Sequence, residues 1–599
     1  MPGSMSSAGD DPGAQDAAES NDRLDGLIEA NRPVALAIGE HAASIAVLGH
    51  GGISVPVGDL AGVVSRGEVV GPRWVWWSND TAASLLDLDV RVARCWDLSA
   101  VHRLLVGGWT STPDRVWAHT RGLDLDGIPT VQPVDLFHQS DDHDPDEPIR
   151  VDGYLHPDWS GGSWASRTSR VARWAELALD VQQFQEVALD DVAAEPHPGA
   201  ARTREHLRST ALSESAAELM CAELAHDGLP FDRSVGERIV AGFVGPRPRD
   251  AAEEVIRLEE LDATVLGQLP PGTTFDLRRP DQVKSLLRRV GIEVPDTRAW
   301  RLEALRDAHP IVEPLLAWRR AERIRTTFGY HWIDEHVDAD GRLRGEWHGS
   351  DGAAGRMTAT AGLHNMPAEM RPAVLAEPGH RFVRADLGQI EPRVLAAVSA
   401  DRQLIRAARE DDMYAPVAAR LGVERSVAKV AVLGAMYGQT TGIGAEALRG
   451  LEREYPVAMG YLRRADEAAQ GGHDLRTYGG RRIRMSGATA VTMSAGDVRS
   501  RAAARGRYGR NAMVQGAAAE FFKTWAALIR ARGRQLGVEF VLCLHDELIA
   551  HVADEHAEAT ALLFTECLAE TAQRWGPQDG DPVRFVADTS VIGCWADAK

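Results

Sequence analysis

The sequence predicts an α/β domain at its N-terminal end and, beyond it, a longer region that is mostly helical. Three observations carry this. Short apolar runs without helical spacing, Val34–Ile38, Ser44–Leu48, Val69–Val70 and Trp74–Trp77, come before a helix-like stretch at Leu98–Leu105. A Pro/Gly/Ala-rich stretch, Ala194–Ala201, then reads as a linker. Past it, apolar residues recur at helical spacing through Glu205–His226, Arg249–Gln268, Pro280–Val290 and Ala304–Thr326. At about 150 residues per domain, 599 residues have room for three to four such units and a sizeable core.

Residues 1–22 carry five acids, no base and no aromatic or β-branched residue, which reads as a disordered tail. That charge is wrong for a secretory or organellar leader. Residues 139–149 are rich in Asp, but two prolines and the missing turn glycine fail the EF-hand pattern, so a solvated acidic loop is expected. A helix at Ser169–Val187 closes the first domain. Five scattered cysteines form no CxxC pair, against a disulfide framework or structural zinc. No apolar run approaches the ~20 residues of a membrane helix. A cytoplasmic protein is expected.

The net charge of −21 argues at first against a polyanionic partner. Its distribution does not: residues 351–550 hold 28 Lys+Arg against 21 Asp+Glu, a local +7. Only four of 66 basic residues are lysines, Lys284, Lys429, Lys523 and Lys599. A lysine kept in so Arg-rich a chain is a candidate for work that needs a compact charge with a movable pKa.

Three segments carry chemistry. In Phe382-Val-Arg-Ala-Asp386-Leu-Gly-Gln389-Ile-Glu391-Pro-Arg393, an apolar strand runs into a carboxylate just before a helix, and Pro392 suits that helix's first turn. Alone, such an Asp is a common cap. In the second, Arg425, Lys429, Leu433 and Tyr437 recur every four residues, one helix face, which Gly438 ends. Two cations followed by a flat apolar surface suit a triphosphate with its sugar and base. In the third, Val541-Leu-Cys-Leu-His545-Asp546-Glu547-Leu-Ile-Ala-His551-Val552 reads as a hairpin with acids at or near its turn. Strand side chains alternate faces, so Asp546 is taken as the metal ligand and Glu547 as its support.

In this order, with 43 residues from Asp386 to Lys429 and 117 from Lys429 to Asp546, the three resemble motifs A, B and C of the family A DNA polymerases. Gly355-Arg356-Met-Thr and Leu363-His-Asn365-Met-Pro367 resemble the family's template–primer segment, one residue short. Thr477-Tyr-Gly-Gly-Arg-Arg482 resembles the stretch closing the fingers, and Arg507…Asn511-Ala-Met-Val-Gln515 the helix beside the duplex. Phe275-Asp-Leu and Trp318-Arg-Arg resemble the thumb. The likeness covers residues 203–599.

The resemblance implies a right-hand α+β polymerase domain, with an antiparallel palm sheet and helical fingers and thumb. Thumb and palm start would span 203–380, motif A of the palm 381–400, fingers 401–500, and the palm with motif C 501–599. It would extend a primer 3′-hydroxyl on template DNA with dNTPs. Asp386 and Asp546, with the Leu387 carbonyl, would hold two Mg²⁺, or Mn²⁺ as substitute. Arg425 and Lys429 would clamp the triphosphate, and Lys429 would protonate the leaving pyrophosphate. Gln389, Leu433 and Tyr437 would face the nucleotide, and Glu391 would crowd a ribose 2′-hydroxyl. Arg356, Asn365, Arg393, Arg507, Asn511, Gln515 and His545 would contact DNA. Three features depart from the family: Leu433 replaces an aromatic, Tyr414 stands where bacterial enzymes often have His, and the stretch from Tyr414 to Arg425 is short.

The same resemblance makes residues 23–195 a ribonuclease-H-like 3′–5′ exonuclease domain, but a degenerate one. Glu40 is all that remains of its first acid pair, Asp97 is one further candidate, and Ala178 falls where a metal-binding Asp belongs. A scaffold without proofreading is expected, with no 5′-nuclease domain ahead of it, and a part in repair or gap filling. Two other readings stay open: a ribonucleotide-tolerant or RNA-type polymerase, opposed by Glu391, and a non-catalytic protein that grips primer–template, opposed by Asp386, Lys429 and Asp546. Protein partners are not legible.

Overall fold

The computed structural model describes residues 24, 26–130, 144–270, 272–350, 354–438, 445–485, 495–544, 546–576 and 583–598. The expected tail at 1–22 lies outside them, as does His545. The chain forms two compact units. One holds residues 1–226, 347–358 and 383–591, and the other 227–346, 359–382 and 592–599.

The first unit begins with a five-stranded sheet. Strands β1 (Pro33–Ile38), β2 (Ala42–Val47) and β3 (Gly51–Pro56) form an antiparallel meander. On the other side of β1, β4 (Arg73–Trp76) and β5 (Cys95–Asp97) run parallel to it, giving the order β3-β2-β1-β4-β5. Parallel neighbours need crossovers, supplied by α1 (Val57–Val70) and α2 (Asp80–Leu86). The sheet is buried on both faces: Val34 and Leu36 join one core cluster, Ala35 and Ala37 another. That is why its strands read as unbroken apolar runs. Val69–Val70 is not such a run; both residues sit exposed in the last turn of α1.

Helix α3 (Leu98–Val106) follows β5 directly, and α4 (Thr168–Ala194) packs on β1 and β2, longer at both ends than its apolar spacing predicts. In the acidic loop, Asp146 accepts from Arg170 Nε at 2.7 Å, so its described part is tied to α4. Helix α5 (Arg204–Asp227) comes after the linker. The linker is held rather than loose, since the Ala200 N–H donates to the Val398 carbonyl at 2.8 Å. Residues on both sides of it belong to the same unit.

The rest of this unit surrounds a second sheet. Strand β6 (His380–Gly388) leads into α6 (Ile390–Ser399), then α7 (Tyr414–Leu421), α8 (Arg425–Tyr437) and α9 (Pro456–Gln470). The 39-residue α10 (Ala495–Gly533) packs along α6, α9 and α11 (Ala557–Trp575). With β7 (Glu539–Leu544), β8 (Glu547–Ala553) and β9 (Val586–Ile592), the sheet order is β7-β8-β6-β9. No described helix is long and apolar enough to cross a membrane.

The second unit is mainly helical, with helices at Arg233–Val244, Ala251–Leu266, Pro280–Arg289 and Val312–Phe328 around a core that includes Leu286, Leu315 and Trp318. The expected helix from Ala304 begins only at Val312. Pro310 disfavours the helical conformation in the residue before it, and residues 304–308 form turns instead.

Candidate active site

Strand β6 buries Val383, Ala385 and Leu387 on one face, so its two-residue period sets Arg384 and Asp386 together on the other. The strand ends at Gly388, and Gln389, at a φ of +57°, turns the chain into α6. The Gln389 amide, expected to face a nucleotide, is engaged within the protein: it donates to Asp412 at 3.1 Å and accepts from the Met413 N–H at 3.0 Å.

The hairpin forms as its sequence pattern predicts. Leu544 pairs with Glu547, leaving a two-residue turn that contains Asp546. The Asp546 carbonyl accepts from the Leu387 N–H at 2.9 Å, which sets the turn against the end of β6. Burial and then the neighbouring Asp546 push the Asp386 carboxyl up to about 6, although Arg384 opposes them. Burial raises Asp546 as well. A half-buried acid pair that repels itself is an all-oxygen donor set suited to hard divalent cations.

Glu547 points elsewhere. Arg384 Nε donates to it at 2.7 Å, Arg384 Nη2 donates to Asp386 at 2.9 Å, and Nη1 to Asp588 on β9 at 3.3 Å. Arg384 and Asp588 were not legible as site residues. The strand period was the available signal for Arg384, masked by its apolar neighbours.

Helix α8 presents its face as expected. Arg425, Lys429 and Tyr437 are exposed and Leu433 is half-buried, while Ala428, Val432, Ala435 and Met436 face the core. Arg425 donates to Asp412 through Nη2 at 3.1 Å and lies 5.8 Å from the centre of the Tyr414 ring. The Tyr437 hydroxyl donates to Glu391 at 3.0 Å, and Arg356 Nη2 donates to the other Glu391 oxygen at 2.8 Å. Glu391 thus joins α6, α8 and the 354–358 segment. Gln515 lies beside the Tyr437 hydroxyl. Gly438, at φ +70°, ends the helix against the Arg507 side chain.

Arg393 is not a DNA contact. It is fully buried and donates to the backbone carbonyls of Ala408, Glu410, Asp411 and Arg584 at 2.6–2.8 Å. No phosphate reaches a guanidinium so enclosed. Arg507 is exposed, and the buried Asn511 Oδ1 has no hydrogen-bond partner, a polar atom left over for a ligand. In the second unit Asn365 is exposed, and its carbonyl accepts from Arg323 at 2.9 Å.

Behind Arg356, Gly355 (φ +77°) lies against the buried Arg481, which pairs with Glu214 and donates to Ser350 Oγ at 3.2 Å. Lys523 also pairs with Glu214, at 2.7 Å. The retained Lys523 therefore has a structural partner. The Thr477–Arg482 stretch lies in this buried network, which also takes in Glu520.

The profile of DNA polymerase family A matches residues 252–578, more than half of the chain. The chain belongs to this family. It is 32% identical over 304 residues to DNA polymerase I of Chloroflexus aurantiacus, covering 45% of this chain and 31% of the relative. To the thermostable DNA polymerase I of Thermus aquaticus it is 28% identical over 373 residues, covering 56% and 44%. The chain thus spans less than half the length of these relatives. A solved structure described as the POL domain of Pol1 from M. smegmatis in complex with DNA primer-template and dNTP aligns with a TM-score of 0.63 at 20% identity, over 97% of this chain and 98% of that one. The fold is that of a family A polymerase domain, with mixed helix and sheet.

Proposed function

We propose that this chain is a template-directed DNA polymerase that extends a primer 3′-hydroxyl with dNTPs, in the bacterial cytosol, in repair or gap filling. The observation that carries the reading is the meeting of Asp386 on β6 with Asp546 in the β7–β8 turn, in the unit where α8 presents Arg425 and Lys429. Asp386 and Asp546, with the Leu387 carbonyl, fit two Mg²⁺ ions, which when bound would activate the 3′-oxygen and neutralise the phosphates. The chain's own residues then have separable tasks. Arg425 exchanges its Asp412 partner for a phosphate. Lys429, a compact donor, gives a proton to the departing pyrophosphate, for which a permanently charged Arg is poorly suited. Glu391, held from two sides by Tyr437 and Arg356, crowds the sugar where a 2′-hydroxyl would sit. Arg356, Arg507, Asn511 and Gln515 face primer–template, and Asn365 of the second unit is a separate candidate contact.

The N-terminal sheet, with its β3-β2-β1-β4-β5 order, is read as ribonuclease-H-like and without proofreading. Asp97 supports this: it is 1% exposed, caps α3 through the Ala100 N–H at 2.8 Å, and accepts from Trp76 Nε1 at 3.0 Å. A carboxylate so enclosed is poorly placed to ligate an ion, and Ala178 on α4 is fully buried.

One observation favours a second reading, a primer–template-binding protein without catalysis: the Arg384 guanidinium already answers Asp386. Extension of a labelled primer–template with Mg²⁺, comparing dNTPs, rNTPs and no nucleotide beside Asp386→Ala, separates the two. Growth with dNTPs alone, absent from the mutant and without shortening in the blank lane, is expected. Binding without growth establishes the second reading, and shortening refutes the scaffold.

A further inference from the structure

Arg384 and Asp386 stand two residues apart on one strand face, and the guanidinium is almost fully withdrawn from solvent, with 8% of the side chain exposed. Its three nitrogens address three different carboxylates, on β6, β8 and β9. The three pairs are not equal. Glu547 is as buried as Arg384, and neither charge is tolerable there without the other. Asp588 is 72% exposed and contributes little. Asp386, 39% exposed, lies between these cases: one oxygen, Oδ2, is bound to Arg384, and the carboxylate also faces Asp546. An arginine in a protein does not lose its proton. A full positive charge therefore stands permanently 2.9 Å from the carboxylate that a divalent ion would use.

We infer that Arg384 is a positioning residue that turns Glu547 away from the ion site and weakens divalent-ion binding in the absence of nucleotide. The inference rests on the reading of Asp386 and Asp546 as ion ligands. The charges explain the coupling. Four acids, Asp386, Asp546, Glu547 and Asp588, less one arginine, leave a smaller negative field for two ions than the acids alone would give. A nucleoside triphosphate brings the missing negative charge with it. Ion occupancy then follows the arrival of the nucleotide, and the protein without nucleotide keeps its acids ordered on an internal cation. Glu547 acts as the counterion of Arg384, which assigns the second acid at the hairpin turn a task other than ligation.

The test is Mn²⁺ titration of the full chain, free of DNA and nucleotide, followed by electron paramagnetic resonance at pH 7.5. The parent is expected to bind weakly. Arg384→Gln removes a charge within a few ångströms of the ion and is expected to tighten binding at least about tenfold. Asp386→Asn in that background removes the gain, which locates the ion. Arg384→Lys keeps the charge and the Glu547 partner and stays within about threefold of the parent.

Unchanged or weaker binding in Arg384→Gln overturns the inference. So does a tenfold change in Arg384→Lys, even where circular dichroism shows that the Gln variant has not folded. In extension assays, the Mg²⁺ concentration giving half-maximal rate falls for Arg384→Gln at low dNTP more than at saturating dNTP. A purely structural role for Arg384 moves neither reading in this direction. A chain that shows the Mn²⁺ pattern yet extends no primer refutes the polymerase reading and leaves this inference standing. Primer extension with an unaltered Mn²⁺ affinity in Arg384→Gln does the reverse.

Discussion

Arg393 and Arg384 lie nine positions apart, and the partners of neither follow from its place in the sequence. The family resemblance makes Arg393 a DNA contact, but four carbonyls from two separate stretches of chain close around it. Arg393→Met leaves those acceptors bare, and we expect a loss of about 3 kcal/mol or more, seen as a lowered Tm, with the salt dependence of DNA binding unchanged. A shallower salt slope with normal stability refutes this. Leu433, half-buried on the α8 face, is read from its side-chain type alone. If the α8 face takes the nucleotide as proposed, Leu433 brings no ring to its sugar, so Leu433→Phe is expected to shift the ratio of dNTP to ddNTP incorporation and to lower the KM for dNTP. Equal ratios in both proteins count against it. Side-chain type was readable from the sequence; which partners enclose it was not, because they lie far away along the chain.

Elements were legible where one pattern dominates. The α8 face is set by strict spacing of four and the β7–β8 hairpin by two apolar runs on either side of the acids, and the structure keeps both. The helix expected from Ala304 failed because a single proline outweighs a run of helical spacing, and Val69–Val70 failed because two apolar residues fit either period. The segment 354–358 owes its path to a glycine. A Cβ at Gly355 would clash with Arg481 Nε, at a φ of +77° that other residues rarely adopt. Gly355→Ala therefore displaces a buried guanidinium as well as straining the backbone, and a loss of about 2 kcal/mol or more is expected by thermal melting. A Tm within a degree of the parent would show that the segment has another path.

At the scale of the molecule, composition marked residues 194–201 as a boundary, yet the chain on both sides folds into one unit. Composition is a local property, whereas that unit is joined by distant pairs. Arg530 on α10, for example, pairs with Glu223 on α5 at 2.6 Å and donates to the Val92 carbonyl at 2.7 Å. Buried acids in such joints make stability depend on pH. Burial pushes Glu520 up to about 7 from an ordinary 4.5, against the Thr477 and Gly479 donors and Arg481, with Glu214 adding repulsion. A raised carboxyl stabilises the fold fully below about 4.5, and that contribution is lost as pH rises through about 7. Glu520→Gln keeps the group neutral, and the Thr477 hydroxyl can turn to donate to the Arg481 carbonyl, 3.4 Å away. The variant is expected to melt several degrees above the parent at pH 8, with the gap closing toward pH 5. A gap that does not change with pH would place the titration elsewhere.

The scarcity of lysine has a practical side. Lys523 is sealed against Glu214, and Lys284 gives its ammonium to the Pro295 carbonyl, so Lys429 on the open face of α8 is the described amine most accessible to acylation. One covalent tag located at that amine by peptide mapping becomes a footprint of whatever covers that face of the helix.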